Sequence, residues 1–341
     1  MTEDSSGAAP NDSAPSVRSA DSPDVAEPLT GKRPKPWLTW GACAISILIF
    51  LGLSTEGDSP SWDSLSKWGA PPPDEIWAGA YWALLTSVFV HQALWHLAFN
   101  LYWLWIFGGV LERVLGSVRW FFLFATAAVF SSAVELAFAG TTGIGLSGVV
   151  YAFFGFLWLA QRRSPAFGGV VTRQTVTVFI AWLIGCWVAT LAKIWEVGNE
   201  AHLSGLVFGM AVAATFVGRP RLLLPRIGMA LVFLLSLVPL VWCPWSFWWV
   251  AHKAYEAHGK GDYQSAVRWY RRGLEFDKNR AWVMQNLAFC YYALGNESDF
   301  TSALQQLRSL DPKAAQEVEQ SLEQDTEAAE QRQRAEAPEK R

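Results

Sequence analysis

Between Trp37 and Val250 this chain is dominated by apolar residues, and that stretch limits what it can fold into. Segments of membrane length fall at about 37–54, 92–112, 118–139, 146–161, 174–193, 201–218 and 224–243. About 20 apolar residues cross a bilayer as a helix. Inside hydrocarbon every backbone N–H and C=O has to be bonded within its own helix or within a closed barrel. Helix-length runs without strand alternation therefore predict an all-α fold, a polytopic membrane bundle of seven spans. The fourth span is the shortest and opens in a glycine-rich run, Gly143-Ile144-Gly145.

The flanks differ in kind. Residues 1–30 are rich in Ser, Ala, Pro and Asp and lack the apolar core of a cleaved leader, so 1–35 is expected to be a disordered cytoplasmic terminus. Residues 319–341 are mostly Glu, Gln, Arg and Ala and read as a disordered charged tail. A net charge of −3 over 341 residues offers nothing to nucleic acid. Cys43, Cys186, Cys243 and Cys290 lack the spacing of a zinc site or a disulfide framework, and no metal or cofactor is expected.

Orientation follows from Lys and Arg. With a cytoplasmic N-terminus, that side receives Lys32, Arg33, Lys35, Arg113, Arg119, Arg162, Arg163, Arg173, Arg219, Arg221 and Arg226, against Lys67 and Lys193 opposite. Seven spans then place the C-terminal region outside. Trp242, Trp245, Trp248 and Trp249 cluster where the seventh helix should meet the interface, which reads as an aromatic belt rather than a binding box and favours a genuine span. If that helix does not span, the C-terminal region is cytoplasmic. No organelle-targeting segment is visible, and a bacterial inner membrane is the expected location.

Polar residues inside such spans are costly and persist where they pair or work. Counting to the first basic residue on each helix at about 1.5 Å per residue puts Ser147, His202, His96 and Asn100 roughly 20–25 Å from the cytoplasmic edge, in one layer in the outer third of the bilayer. His96 and Asn100 share a helix face at i, i+4, as do Ser147 and Tyr151. Ser147 opens a helix after a Gly-rich turn, so free backbone N–H groups lie beside it. Ala201, Gly205 and Gly209 form a small-residue ridge that permits the close helix approach needed to bring His202 to Ser147. Taken singly, each residue has a structural reading: Ser147 a cap, His202 a helix-end hydrogen-bonding group, His96 and Asn100 polar glue between spans, and His91 a structural group at the interface. Their common depth is what favours a nucleophile and base.

Three motifs in order resemble the rhomboid family of intramembrane serine proteases: His91-Gln92-Ala93-Leu94-Trp95-His96-Leu97-Ala98-Phe99-Asn100, Gly145-Leu146-Ser147-Gly148 and His202-Leu203-Ser204-Gly205-Leu206-Val207-Phe208-Gly209, with Glu112-Arg113-Val114-Leu115-Gly116 after the second span. The resemblance covers about residues 37–218. It implies a rhomboid-like six-helix catalytic core over 36–220 with an added span over 221–250. It further implies Ser147 as nucleophile, His202 as general base, and His96, Asn100 and the Ser147 N–H as oxyanion donors. Tyr151 would pack beneath the histidine, and Glu112 would hold the loop between spans one and two. Substrates would be single-span membrane proteins, with no cofactor. The family's Trp-Arg pair falls on Trp82-Ala83, so the loop lacks its arginine, which leaves open what anchors it and how rate or specificity responds.

Residues 251–318 resemble tetratricopeptide-like helical repeats. Gly, Tyr and Ala positions in Ala254–Ala266 return in Cys290–Ala303 about 36 residues later, against a repeat period near 34, with a short insertion expected near Glu297–Asp299. Two repeats are fewer than usually fold alone, so support from span seven, the membrane or another subunit is expected, and the role expected is binding of a peptide or protein partner. Other readings remain: a silent rhomboid-like scaffold, which the missing arginine favours and the intact Ser147 and His202 oppose, or an adaptor acting through the repeats.

Overall fold

A computed structural model describes residues 34–57, 60–195, 197–217 and 223–336. Of the basic residues used for orientation, Lys32, Arg33, Arg219 and Arg221 lie outside the described residues, as does the N-terminal segment 1–33 expected to be disordered. The chain is a helical bundle with no strand among the described residues. Helices α1 (Trp37–Ser54), α2 (Leu94–Leu115), α3 (Ser117–Phe138), α4 (Ser147–Ala160), α5 (Arg173–Leu191), α6 (Asn199–Phe216) and α7 (Leu223–Ser236, continued by a 3-10 turn over Val238–Leu240) correspond to the seven expected segments. Five of these, α1, α2, α3, α5 and Leu223–Leu240, are long and apolar enough to cross a membrane, and the chain is a multi-pass integral membrane protein. The remaining two, α4 and α6, do not meet that description.

Those two are the interior of the bundle. From Gly148 to Leu157 every residue of α4 is buried, so its all-round apolar sequence is the mark of a helix wrapped in protein rather than facing lipid. Its 14 residues rise about 21 Å, short of a hydrocarbon core of roughly 30 Å. Helix α6 is kept close to α4 along its length. A Cβ on Gly205 would lie 2.2 Å from the Gly148 carbonyl oxygen, one on Gly209 would lie 1.8 Å from the Ala152 oxygen, and one on Gly155 would lie 2.3 Å from the Leu206 oxygen. Only hydrogen fits at these crossings. Apolar side chains on α1, α5 and α7 such as Leu48, Val188 and Leu235 point outward, as lipid-facing residues should.

The two ends of the bundle are built differently. At one end Glu112, near the close of α2, accepts hydrogen bonds from Leu38 N (3.0 Å), Thr39 N (2.8 Å), Thr39 Oγ1 (2.8 Å) and Ser117 Oγ (2.8 Å). It caps the start of α1, whose first N–H groups have no partner of their own, and joins it to the α2–α3 turn. The expectation that Glu112 holds the connection between spans one and two is therefore corrected: its partners lie at the opposite end of α1. At the other end the α1–α2 connection folds into short helices Trp62–Lys67, Pro73–Trp77 and Ala83–Thr86.

The C-terminal region consists of α8 (Phe247–Gly259), α9 (Tyr263–Phe276), α10 (Ala281–Ala293), α11 (Glu297–Leu310) and α12 (Pro312–Glu336) around its own apolar core, which includes Ala254, Tyr270, Leu287, Leu307 and Val318. Three sequence expectations change here. Helix α8 begins at Phe247, inside the segment 221–250 assigned to the seventh span, so Trp248 and Trp249 belong to the first C-terminal helix and the tryptophan cluster is not a simple belt. The repeat has no insertion. Gly261 (φ +74°) and Asp262, which caps α9 at Ser265 N, are matched by Gly295 (φ +67°) and Asn296, which caps α11 at Asp299 N, so the structural period is set by identical turns and Glu297–Asp299 simply start α11. Residues 319–336, expected to be a disordered tail, continue α12; 337–341 lie outside the described residues.

Candidate active site

A cavity of about 720 Å³ opens at the end of the bundle that carries the α1–α2 connection, and Ser147, His202, His96, Asn100 and Tyr151 all line it. Three local devices assemble them. The α3–α4 turn passes through Gly143 and Gly145 in the left-handed region (φ +71° and +104°), where side chains are disfavoured. Gly145 also sits against the ring of His96, since a Cβ there would be 2.7 Å from its Cε1. The turn ends at Ser147, first residue of α4, whose N–H has no acceptor within the helix.

His202 arrives on the first turn of α6. It is 3% exposed, its Nδ1 has no partner among the described residues, and its ring stacks on Tyr151 at 4.7 Å between centroids and 27° between planes. Tyr151 is held by its own hydroxyl, which donates to the Phe179 carbonyl at 2.9 Å. The Gly148–Gly205 contact lies one residue beyond Ser147 and three beyond His202, so a close backbone approach of the two helices lies next to the pair. Among the described residues no hydrogen bond links Ser147 and His202; what the fold does is place both on the same cavity wall, and such contacts often tighten only when substrate is present.

Opposite them, α2 presents His96 and Asn100. Asn100 is buried and its Nδ2 donates to the His96 carbonyl at 3.0 Å, leaving a second N–H on that nitrogen. The cavity rim is aromatic, with Trp62, Trp95, Trp182, Trp187, Trp195 and Trp248. Gly145, Gly148, Gly205 and Gly209 serve by close approach; Glu112 is remote from the cavity.

Two residues were missed or underrated in the sequence. His91 is fully buried: its Nδ1 meets the Phe89 carbonyl at 3.1 Å, and its Nε2 accepts the Leu146 N–H at 3.4 Å, so with the proton on Nδ1 it braces the turn just before Ser147. Glu135, near the end of α3, is 2% exposed, lines the cavity and accepts the Ala201 N–H at 2.7 Å, which ties α3 to the residue preceding His202. An acid within a membrane-length segment is itself the pointer that should have found it.

The segment 78–219 matches the family model described as the Rhomboid domain. The chain is similar to the rhomboid protease GlpG of Serratia proteamaculans, 35% identical over 176 residues, covering 52% of this chain and 61% of that protein. It is also similar to the rhomboid protease GlpG of Salmonella choleraesuis, 33% identical over 180 residues, covering 53% of this chain and 62% of that protein. The chain thus spans about three-fifths of the length of the relatives it matches, and its C-terminal helices fall outside the matched domain. The ordered motifs, the helices packed around α4 and the match over 78–219 together identify that segment of the chain as a Rhomboid domain.

Proposed function

We propose that this chain is an intramembrane serine endopeptidase that cuts single-span membrane proteins. The observation that carries the reading is that Ser147 and His202, on two helices in glycine-mediated contact, line one cavity inside an apolar bundle. Polar groups inside membrane-length segments are costly and mark functional sites by default.

In this reading Ser147 Oγ attacks the scissile carbonyl while His202 takes its proton and then passes it to the leaving amine. Tyr151 stacked against the imidazole fixes the plane from which this occurs. The tetrahedral oxyanion is met by the Ser147 N–H at the start of α4 together with His96 and Asn100, donors fixed in place before the charge develops. Water entering the cavity then hydrolyses the acyl-enzyme. In this reading α4, too short to reach both bilayer surfaces, starts below the outer one, so the scissile bond leaves its own helix to reach Ser147, which selects substrates whose membrane helix unwinds near that end.

The geometry also supports the orientation argued from charge. Arg113, Arg119, Arg162, Arg163 and Arg173 sit near the bundle end away from the cavity, Lys67 and Lys193 at the cavity end, and the α7 connection leads to the C-terminal helices at the cavity end. A cytoplasmic N-terminus and an outside C-terminal region, in a bacterial inner membrane, complete the proposal; the helical repeats would bind a peptide or protein segment there.

The test is cleavage of a single-span substrate in proteoliposomes by wild type, Ser147→Ala and His202→Ala, with a fluorophosphonate probe as a second readout. Both variants should lose activity by at least about 10³-fold, and Ser147→Ala should lose labelling. Undiminished cleavage by Ser147→Ala would sink the assignment and leave a scaffold as the reading.

A further inference from the structure

The C-terminal helices are joined to the cavity wall. Cys243, Trp249 and Val250 are buried in one cluster with Trp77 and Ala83 of the α1–α2 connection and Leu136 of α3. Directed hydrogen bonds fix the register: Trp77 Nε1 donates to the Pro239 carbonyl and Trp245 Nε1 to the Ala137 carbonyl, both at 3.1 Å. Ala83, where the resemblance led to an arginine, is fully buried in this cluster. The anchor of the connection is therefore apolar, and part of it comes from the chain beyond span seven.

Trp248 extends this wall into the cavity. It lines the cavity yet remains 45% exposed. Its indole lies over Gly140, where a Cβ would be 1.9 Å from Cδ1, so the α3–α4 turn is shaped to receive it. From behind, Arg280 at the start of α10 places its guanidinium 3.8 Å from the Phe247 ring centroid and 5.7 Å from that of Trp248. A residue of the second helical hairpin thus holds the ring that faces the site.

We propose that Trp248 is a specificity-determining residue of the protease, reading an apolar side chain in the substrate segment that flanks its membrane helix on the cavity side. This rests on the protease reading above. An exposed indole face, backed by Arg280 and opening onto the catalytic cavity, gives up water when an apolar side chain covers it and gains little from a small polar one. Because α10 sets the ring, substrate choice is coupled to the C-terminal helices rather than to the membrane core alone.

The experiment uses the full chain in proteoliposomes and two single-span substrates that differ only at the flanking residues, Leu-Phe in one and Ser-Gly in the other. Rates are normalised to the fraction labelled by the fluorophosphonate probe, which corrects for any misfolded protein. Wild type should favour the apolar substrate in kcat/KM by about 5-fold or more, through KM; Trp248→Ala should bring the ratio close to one, and Trp248→Phe should retain most of it. Arg280→Gln should lower the ratio partway. A wild-type ratio near one, or an equal loss on both substrates in Trp248→Ala with the ratio preserved, overturns the proposal while leaving the protease reading intact. Cleavage by Ser147→Ala, run alongside, would overturn the protease reading itself.

Discussion

Gly209→Ala offers a direct test of how the site is brought together. Gly209 lies two helical turns from His202 on the same face of α6, away from the cavity. A Cβ placed there would be 1.8 Å from the Ala152 carbonyl oxygen, and 3.0 Å is the closest approach real Cβ atoms make, so α6 and α4 would have to part by about 1.2 Å. The obstacle is backbone of a fully buried helix, which has nowhere to yield. Overpacking of this kind costs about 1–3 kcal/mol. The larger effect is on chemistry: a displacement of about 1 Å between reacting groups lowers rate on the order of 100-fold, or roughly 2.7 kcal/mol in the barrier. Cleavage in proteoliposomes should fall by about that factor, together with a lower unfolding temperature. Gly185→Ala on α5, where no atom lies within 4 Å of the added methyl, is the control and should leave both unchanged. Wild-type cleavage by Gly209→Ala with no loss of stability would refute the argument that the α4–α6 backbone contact sets the position of His202.

Two further predictions concern parts of the molecule away from the cavity. Glu112→Ala strands four donors that now share its carboxylate, among them the fully buried Thr39, and should destabilise the bundle by about 3 kcal/mol or more, read by thermal unfolding in detergent; a loss under about 1 kcal/mol would mean the carboxylate does not cap α1. In the C-terminal region the hydrogen bonds from Lys253 and Lys260 hold the Glu256 carboxyl down to about 2, from an ordinary 4.5. A depressed carboxyl stabilises the fold above about pH 4.5 and loses that contribution as pH falls toward 2. Since the side chain is 35% exposed, solvent screening keeps the effect below about 1 kcal/mol. Denaturant unfolding of Glu256→Gln against wild type should show a small deficit at pH 7 that closes below pH 4.5, and a deficit that persists unchanged at pH 2 would contradict the ion pairs.

The apolar helices and the candidate site residues were legible in the sequence because lipid enforces a simple rule. Runs of apolar residues have to be helices, and a Ser, His or Asn inside them stands out at once. The depth argument draws on the same rule, since the segments of α2, α4 and α6 each carry a polar group near one end and are followed by basic residues in the sequence. Its gaps have physical causes as well. Glu135 was passed over because it sits near a span end, where an acid looks like an interfacial residue; only the fold turns it inward onto Ala201 N. His91 looked peripheral because its partner Leu146 is 55 residues away in sequence.

Composition and periodicity by themselves thus indicated an all-helical membrane bundle, the approximate position of its apolar helices, and a set of candidate residues for chemistry. Tertiary structure alone decided the rest. Which end of α1 Glu112 serves depends on how α2 returns, and local spacing does not encode that. The regular turns at Gly261 and Gly295 appear once backbone conformation, rather than residue identity, is compared. The tryptophan cluster after α7 looks the same in sequence whether it floats at an interface or packs on protein. Long-range contacts with Trp77, Ala83 and Ala137 assign Trp249 to the core and leave Trp248 facing the cavity, because burial is settled by the partner surface and not by the residue that is buried.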